Sequence, residues 1–317
     1  MNAAPLFPRL ALIGFGLIGG SIARGARTQG LAGEIVATAR SAATRARVKE
    51  LGQEFGIVDR VVETNAEAVK DADLVILSIP VGVCGDVAKE IAPYLKPGAI
   101  ISDVGSVKGA VARDMAPHLP ANVHFIPAHP VAGTENSGPD SGFAELFNNR
   151  WCILTPPPDA DAKAVERLAE FWGTLGANVE IMTPEHHDLV LAITSHLPHL
   201  IAYTIVSTAE ELEGVTSSEV LKFSAGGFRD FTRIAASDPT MWRDVFLTNK
   251  DAVLEMLGEF QEDLSKLTRA IRRGDGEALF DHFTRTRAIR RGIVNLGQDE
   301  AGADFGRRHA NLAKKPT

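Results

Sequence analysis

The stretch that most constrains the fold is 10–21, LALIGFGLIGGS, in which an apolar run leads into three spaced glycines. The run 10–13 is apolar throughout, which is typical of a strand buried on both faces of a parallel sheet. Gly14 permits a tight turn, Gly16 lets a pyrophosphate approach the backbone, and Gly19 lets the next helix pack closely. The pattern therefore predicts a dinucleotide site at a helix N-terminus. The predicted cofactor contacts here are Gly14, Gly16, Leu17, Ile18 and Gly19.

Length and charge limit the remaining possibilities. A chain of 317 residues exceeds the usual single-domain size, which predicts one larger and one smaller domain. The formal net charge of -7 argues against nucleic acid or an anionic membrane as partner. No uninterrupted apolar run reaches the length that crosses a bilayer. Cys84 and Cys152 lie in apolar surroundings, which predicts buried free thiols in a reducing cytoplasm.

The end of the second predicted strand, 34–39, bears on the choice of cofactor. An acidic residue at this point would bind the adenosine ribose 2′-hydroxyl of NAD. The sequence instead has Ala39, Arg40 and Ser41. An arginine and a hydroxyl suit a 2′-phosphate, although Arg40 stacked on adenine fits the sequence too. We therefore expect Arg40 and Ser41 to contact the cofactor and leave NAD+ or NADP+ open.

Later strands are predicted to end at the same carboxyl edge, where open parallel sheets bind ligands. One strand ends at Pro80, and the strand 98–102 leads into DVGSVKG, which contains Ser106. Taken alone, Ser106 is equally suited to capping the next helix and to contacting a ligand. The strand 123–127 leads into AHPVAGTENSG, whose His129 can accept a hydroxyl proton near neutral pH. The alternative is a structural histidine.

The pattern changes near Thr183, from alternating strands and helices to almost uninterrupted helix. We predict an α/β domain with a doubly wound parallel sheet over 1–182, an all-α domain over 183–296 and a polar tail over 297–317. One long amphipathic helix is expected over 240–272, and its apolar stripe fits either intrachain core or a homodimer interface.

Two pairs of histidines lie near the start of the helical domain. His196 and His199 are one turn apart and share a helix face. No third metal ligand accompanies them, so we predict no metal site. His186 and His187 are interpreted as solvent-facing residues beside the helix cap.

A second polar segment, GGFRDFTR, places Arg229 and Arg233 on either side of Asp230. The planar guanidinium group is suited to binding a carboxylate. One of the two arginines can pair with Asp230, so the sequence leaves open which of them meets a ligand.

The motifs GFGLIGGS, DVGSVKG, AHPVAGTENSG, SHLPH and DFTRIAASDPTMWRD together resemble the prephenate/arogenate (cyclohexadienyl) dehydrogenase family of tyrosine biosynthesis. The match runs in order from about Leu10 to the helix after Gly276, and AHPVAGTE and the FTRIA-to-MWRD segment are its most specific parts. The resemblance implies a Rossmann domain followed by an all-α dimerisation domain. It also implies a homodimer with the active site between the domains.

The resemblance further implies residue roles. His129 would hydrogen-bond the ring 4-hydroxyl, and Ser106 would contact that hydroxyl and the nicotinamide. Arg233 would bind a substrate carboxylate, and His199 would line the substrate cleft. Further residues in or around the cleft would be His196, Glu135, Asp230 and Trp242.

The implied reaction is oxidative decarboxylation of prephenate or arogenate to 4-hydroxyphenylpyruvate or tyrosine, with hydride transfer to NAD(P)+. One alternative is a β-hydroxyacid or imine reductase, a class that uses a lysine of the helical domain; Lys222 and Lys250 lie outside the predicted site. Another is a protein that senses NAD(P) without turnover.

Overall fold

The computed structural model describes residues 4–134, 136–216, 222 and 226–293. Glu135 and the predicted tail 297–317 therefore lie outside the described residues.

A six-stranded parallel sheet forms the centre of the first domain, with strand order β3-β2-β1-β4-β5-β6. Its strands are β1 (Phe7–Ile13), β2 (Ala32–Thr38), β3 (Arg60–Val61), β4 (Leu74–Leu77), β5 (Ile100–Asp103) and β6 (His124–Phe125). Alternate side chains of the central strands enter two separate apolar cores, with Leu12 and Ile76 in one and Ile13 and Leu77 in the other. Burial on both faces explains why these strands are apolar at every position. The predicted doubly wound parallel sheet is confirmed.

Helices cover this sheet and provide the N-termini at its carboxyl edge. They are α1 (Leu17–Thr28), α2 (Ala42–Phe55), α3 (Asn65–Val69), α4 (Cys84–Ile91), α5 (Lys108–Met115) and α6 (Ala162–Thr174). The two cysteines are free and buried as predicted, and burial raises the pKa of the Cys84 thiol to about 12.

The last strands of the first domain form a separate small sheet. It contains β7 (Ala128–Pro130), β8 (Trp151–Leu154) and β9 (Asn178–Ile181), with β7 antiparallel to β8 and β8 parallel to β9. The chain leaves the main sheet after Phe125 and re-forms a strand that contains His129. His129 is therefore held by strand pairing within the small sheet, and not by a loop that follows the main sheet.

The run of helices begins after β9, with Thr183 as the N-cap residue. The Thr183 hydroxyl accepts a hydrogen bond from the His186 N–H at 3.3 Å. The helices that follow are α7 (Pro184–Leu191), α8 (Leu197–Thr216), α9 (Gly226–Thr232), α10 (Pro239–Thr248), α11 (Lys250–Arg273) and α12 (Gly276–Ile293). A π-helical turn, Ala192–His196, joins α7 to α8; such turns are frequent at functional sites.

The prediction of one helix over 240–272 is wrong, because the chain breaks at Asn249. This residue has φ -110° and ψ 31°, and its side-chain amide is turned inward. Its Nδ2 donates to the carbonyl oxygen of Asp188 at 2.9 Å and lies 3.1 Å from Nδ1 of His196. The break thus lets the Asn249 side chain reach the buried His196 imidazole and the Asp188 carbonyl oxygen.

One helical stretch of the second domain has the length and composition of a membrane span, although polar residues interrupt its apolar run. Residues Pro184–Glu211 form 28 residues of helix, within which an 18-residue window has a mean hydropathy of 1.6. Three polar side chains of this stretch, those of His187, Asp188 and His196, are buried within the protein. Buried hydrogen-bonding side chains are typical of a helix packed against protein.

The outer helices leave an apolar face uncovered in the single chain. Leu264 and Ile271 of α11 are 50% and 65% exposed, and Phe280 and Phe283 of α12 are 70% and 55% exposed. Patches of this kind mark association surfaces. The apolar residues of the predicted long helix are therefore core at Val245 and Val253, which are buried, whereas Leu264 and Ile271, later in this stretch, are exposed.

Candidate active site

The glycine loop between β1 and α1 is shaped for a phosphate group. Gly14 has a φ of +91°, and a Cβ there would lie 2.2 Å from the carbonyl oxygen of Ser78. A Cβ on Gly19 would lie 2.5 Å from the carbonyl oxygen of Gly14. A Cβ on Gly16, in contrast, would meet no described atom within 4 Å. The loop is therefore tight at two glycines and open at the third, which fits a pyrophosphate on the backbone.

The surroundings of this loop also fit a dinucleotide. Gly16 is the N-cap of α1 and supplies no side-chain hydrogen bond, so the N–H groups that begin with Leu17 and Ile18 are available to an anion. Pro80 follows β4 at the carboxyl edge of the sheet, and Arg40 and Ser41 are exposed at the end of β2.

A buried ion pair fixes the turn that carries Ser106 relative to the strand that carries His129. The Lys108 ammonium group contacts the Asp103 carboxylate and donates to the carbonyl oxygen of Ala128 at 2.7 Å. The same carboxylate accepts from the N–H groups of Gly105 at 2.8 Å and Ala128 at 3.2 Å. Lys108 and Asp103 are fully buried. Gly105 and Ala128, which precede Ser106 and His129, are thus both held by the Asp103 carboxylate.

Ser106 does not cap α5. The N-cap residue is Val107, and Asp188 of the helical domain accepts from the N–H groups of Lys108 at 2.7 Å and Gly109 at 2.8 Å. The Ser106 hydroxyl makes no hydrogen bond within the described part of the chain. Of the two roles left open by the sequence, capping is wrong, and the hydroxyl is available to a ligand.

Three side chains form a hydrogen-bonded chain between the domains. Nδ1 of His187 lies 2.8 Å from Oδ1 of Asp188, and Nε2 of His187 lies 2.8 Å from Nδ1 of His129. A carboxylate only accepts, so Nδ1 of His187 carries a proton and its Nε2 accepts one from Nδ1 of His129. This assigns the remaining nitrogen, Nε2 of His129, as a proton acceptor. The prediction that His187 faces solvent is wrong, since it is fully buried; His186 is exposed as predicted.

Burial keeps these imidazoles neutral. It lowers the pKa of His129 well below the ordinary 6.5, and the neighbouring His187 and Lys108 lower it further. Burial also lowers the pKa of His187, although Asp188 opposes this shift. Neutral His129 is the form that can accept a proton.

A second group of rings lies in the helical domain. The rings of His199 and Trp242 stack with centroids 3.7 Å apart, and the ring of His196 meets Trp242 edge-on at 6.1 Å. Nδ1 of His199 donates to the carbonyl oxygen of Ser195 at 2.8 Å, which leaves its Nε2 as an acceptor. His199 is half-buried, whereas His196 and Trp242 are buried behind it. The structure thus brings His196, His199 and Trp242 together.

Arg233 influences His199 electrostatically. Its charge lowers the pKa of His199, in addition to the larger effect of burial. Nε of Arg229 lies 3.4 Å from Oδ1 of Asp230 in an exposed pair. Arg229 is thus paired with Asp230, and the charge of Arg233 acts on His199.

Sequence reasoning missed the residues that orient the predicted ones: Asp103, Lys108, His187, Asp188 and Asn249. One signal was available, because the adjacent polar pair HD at 187–188 begins an otherwise apolar helix. Among the described residues, no three His, Cys, Asp or Glu side chains meet as a metal site would require.

The sheet has the shape of a dinucleotide-binding domain, and a helical domain is docked on its carboxyl edge. A neutral histidine lies at their junction. These features define a two-domain, nicotinamide-dependent dehydrogenase. The family model for the prephenate dehydrogenase nucleotide-binding domain matches residues 22–181, and the model for its dimerization domain matches residues 183–285. The chain belongs to the prephenate dehydrogenase family. The Rossmann fold and the family predicted from the sequence are confirmed.

Individual relatives agree with this membership. The chain is 42% identical to the cyclohexadienyl dehydrogenase of Zymomonas mobilis, over 90% of this chain and 96% of that protein. A solved prephenate dehydrogenase from A. aeolicus, in complex with hydroxyphenyl propionate and NAD+, is 34% identical with a TM-score of 0.82, covering 90% of this chain and 98% of that one. The arogenate dehydrogenase of Synechocystis is 26% identical with a TM-score of 0.74, covering 90% and 99%.

Proposed function

We propose that this protein catalyses the oxidative decarboxylation of prephenate, arogenate or both, with NAD(P)+ as hydride acceptor, in tyrosine biosynthesis. One observation carries the proposal: the chain Asp188–His187–His129 leaves Nε2 of a buried, neutral histidine as an acceptor at the domain junction. The names of the relatives support the same reaction, since they are cyclohexadienyl, prephenate and arogenate dehydrogenases.

His129 is proposed to accept a hydrogen bond from the hydroxyl on the carbon that loses hydride. As the C–H electron pair leaves, positive charge develops at that carbon and oxygen, and Nε2 of His129 stabilises it by drawing the hydroxyl proton. The ring carboxylate then departs as CO2, and the electrons of its C–C bond complete the aromatic ring. The proton on His129 returns to the phenol oxygen, so His129 ends in its starting form.

Ser106 and the glycine loop are proposed to position the reactants. A bound nicotinamide supplies the hydride acceptor. Gly14, Gly16 and Gly19 would hold the pyrophosphate, and the Ser106 hydroxyl would contact the substrate hydroxyl and the nicotinamide edge. Positioning of this kind, together with one base, is sufficient for the reaction.

Arg233 is proposed to bind a substrate carboxylate, with His199 as a neighbouring acceptor in the cleft. The bidentate geometry of guanidinium and carboxylate supports this role. Trp242 and His196 are proposed to support these two residues, because their burial places them behind the cleft surface.

The quaternary structure and location complete the proposal. The exposed apolar face of α11 and α12, with the match to a dimerization domain, supports a homodimer. The boundary near Thr183 falls between the end of β9 and the start of α7, which supports domains over 1–182 and 183–296. Two buried free thiols favour the cytoplasm.

The test is a spectrophotometric assay of purified protein with prephenate or arogenate, each with NAD+ or NADP+. Formation of reduced nicotinamide at 340 nm in any combination is expected. No turnover in all four, with cofactor binding intact, would contradict the proposed reaction. The alternative of a reductase or a non-catalytic sensor is not favoured, because both domains match prephenate dehydrogenase models.

A further inference from the structure

The loop that follows β2 lies beside the glycine loop. The Gly14 N–H donates to the carbonyl oxygen of Thr38 at 2.9 Å, and Ile13 is the register partner of Thr38. Arg40 and Ser41 follow two and three residues later and are exposed. In this fold, the adenosine ribose of a dinucleotide lies at the end of the second strand.

This loop lacks the acidic residue that binds a ribose 2′-hydroxyl. The sequence contains no Asp or Glu between Glu34 and Glu50. Glu34 is paired with Arg9 through contacts of 2.7 Å, six residues before Arg40 along the chain. A 2′-hydroxyl would therefore find no carboxylate on this loop, and a 2′-phosphate would meet no repulsion from it.

A second arginine, Arg45, holds the loop through hydrogen bonds to its backbone. Nη1 of Arg45 donates to the carbonyl oxygens of Ala39 at 2.7 Å and Arg40 at 3.0 Å. These bonds fix the backbone that carries the Arg40 side chain and add positive charge beside it. A charged, pre-ordered loop lowers the entropy that phosphate binding must offset.

The hydroxyl groups of Ser41 and Thr44 also lie on this loop. Oγ of Ser41 accepts from the Thr44 N–H at 3.0 Å and lies 2.7 Å from the Thr44 hydroxyl oxygen. When Thr44 donates within this pair, the Ser41 proton is available to a phosphate oxygen.

We propose that this site selects NADP+ over NAD+, with Arg40 and Ser41 binding the 2′-phosphate of the adenosine ribose. The inference rests on the proposed use of a nicotinamide dinucleotide and adds its chemical identity. A charge-assisted hydrogen bond to phosphate contributes about 1.5 to 3 kcal/mol, which corresponds to about 10- to 100-fold in Kd.

Binding of the oxidised dinucleotides is measured by calorimetry without dehydrogenase substrate, so that the readout is independent of turnover. NADP+ is expected to bind at least about 10-fold more tightly than NAD+, and 2′,5′-ADP more tightly than 5′-ADP. Arg40→Ala is expected to raise the Kd of NADP+ and 2′,5′-ADP by about 10- to 100-fold and to change that of NAD+ by less than about twofold.

Two further variants sharpen the test. Lys49→Ala removes one positive charge from the same helix, seven residues beyond its first residue and so about 10 Å further along, and is expected to leave the preference unchanged. Ala39→Asp supplies the missing carboxylate and is expected to shift the preference towards NAD+.

Equal or tighter binding of NAD+ by the unmodified protein would overturn this inference and leave the dehydrogenase reaction standing. Equal weakening of both dinucleotides by Arg40→Ala would do the same, because it would indicate stacking on adenine. Failure to bind either dinucleotide would overturn the inference together with the proposed function.

Discussion

Nδ1 of His129 and Nε2 of His187 lie 2.8 Å apart, with one residue in the sheet domain and the other in the helical domain. Their rings meet nearly edge-to-face, with centroids 5.0 Å apart. The proton on the sheet-domain histidine is thus placed by a residue 58 positions away. Domain docking therefore sets which nitrogen of His129 is left as a proton acceptor.

The first prediction concerns the hydrogen-bonded chain Asp188–His187–His129. His187→Phe keeps an aromatic ring beside His129 and removes its acceptor, so the tautomer of His129 is no longer fixed. We expect kcat to fall by about 10- to 100-fold with KM little changed, by analogy with the loss of residues that orient a functional histidine. Steady-state kinetics and a thermal melt check this result. A fall in melting temperature with normal kcat would indicate a purely structural role; His186→Phe, next in sequence and exposed, is the control.

The second prediction separates catalysis from binding. His129→Asn is expected to lower kcat by about 10²- to 10⁴-fold, because it removes the base but retains a polar side chain. Arg233→Ala is expected chiefly to raise KM, because it removes a carboxylate contact made in the ground state as well as in the transition state. Arg229→Ala, on the exposed arginine paired with Asp230, is the matched control for lost charge. Similar kcat losses for His129→Asn and Arg233→Ala would contradict these roles.

The third prediction concerns the pH dependence of turnover. Burial first, then His187 and Lys108, hold the pKa of His129 well below 6.5. Because a lowered pKa keeps the base neutral until more acidic pH, kcat should be flat around neutrality and fall only below pH 6.5. A kcat profile between pH 5 and 8 checks this, and an acid limb centred above 6.5 would contradict the neutral assignment.

The fourth prediction applies the same shifts to stability. His129, His187, His196 and His199 all have lowered pKa values in the folded state, with that of His196 at about 4. Below pH 6.5 the unfolded chain binds protons that the folded chain does not, so the free energy of unfolding falls with acidification. Each histidine contributes about 1.4 kcal/mol per pH unit within its window. Urea unfolding at pH 7, 6 and 5 measures the slope, and equal stability at all three would disprove the linkage.

The fifth prediction uses two glycines of one loop. Gly16→Ala places a methyl group in open space, so the melting temperature should not change, but the Kd of the dinucleotide should rise by at least about 10-fold. Gly14→Ala forces a Cβ to within 2.2 Å of the Ser78 carbonyl oxygen and should destabilise the domain itself. Unaltered dinucleotide affinity in Gly16→Ala would exclude the pyrophosphate from this loop.

Some features of this protein follow from its local sequence, whereas others depend on contacts between distant residues. Gly14, Gly16 and Gly19, the apolar central strands and the change of pattern near Thr183 follow from local conformation and side-chain period, so the sequence predicted them. His129 and Ser106 were also accessible, because residues that follow parallel strands collect at one edge of the sheet.

The partners of these residues depended on contacts distant in sequence. His187 and Asp188 look like polar residues of a helix start, and only docking against Lys108 and His129 buries them. Asn249 breaks a helix of good amphipathic period, and its amide contacts His196 and the Asp188 carbonyl oxygen, which lie far away in the sequence. The amino-acid sequence by itself determined the fold and predicted the glycine loop and His129 as the candidate base. The tertiary structure alone decided the protonation of that base, because burial and hydrogen bonding act through space and leave no local period to read.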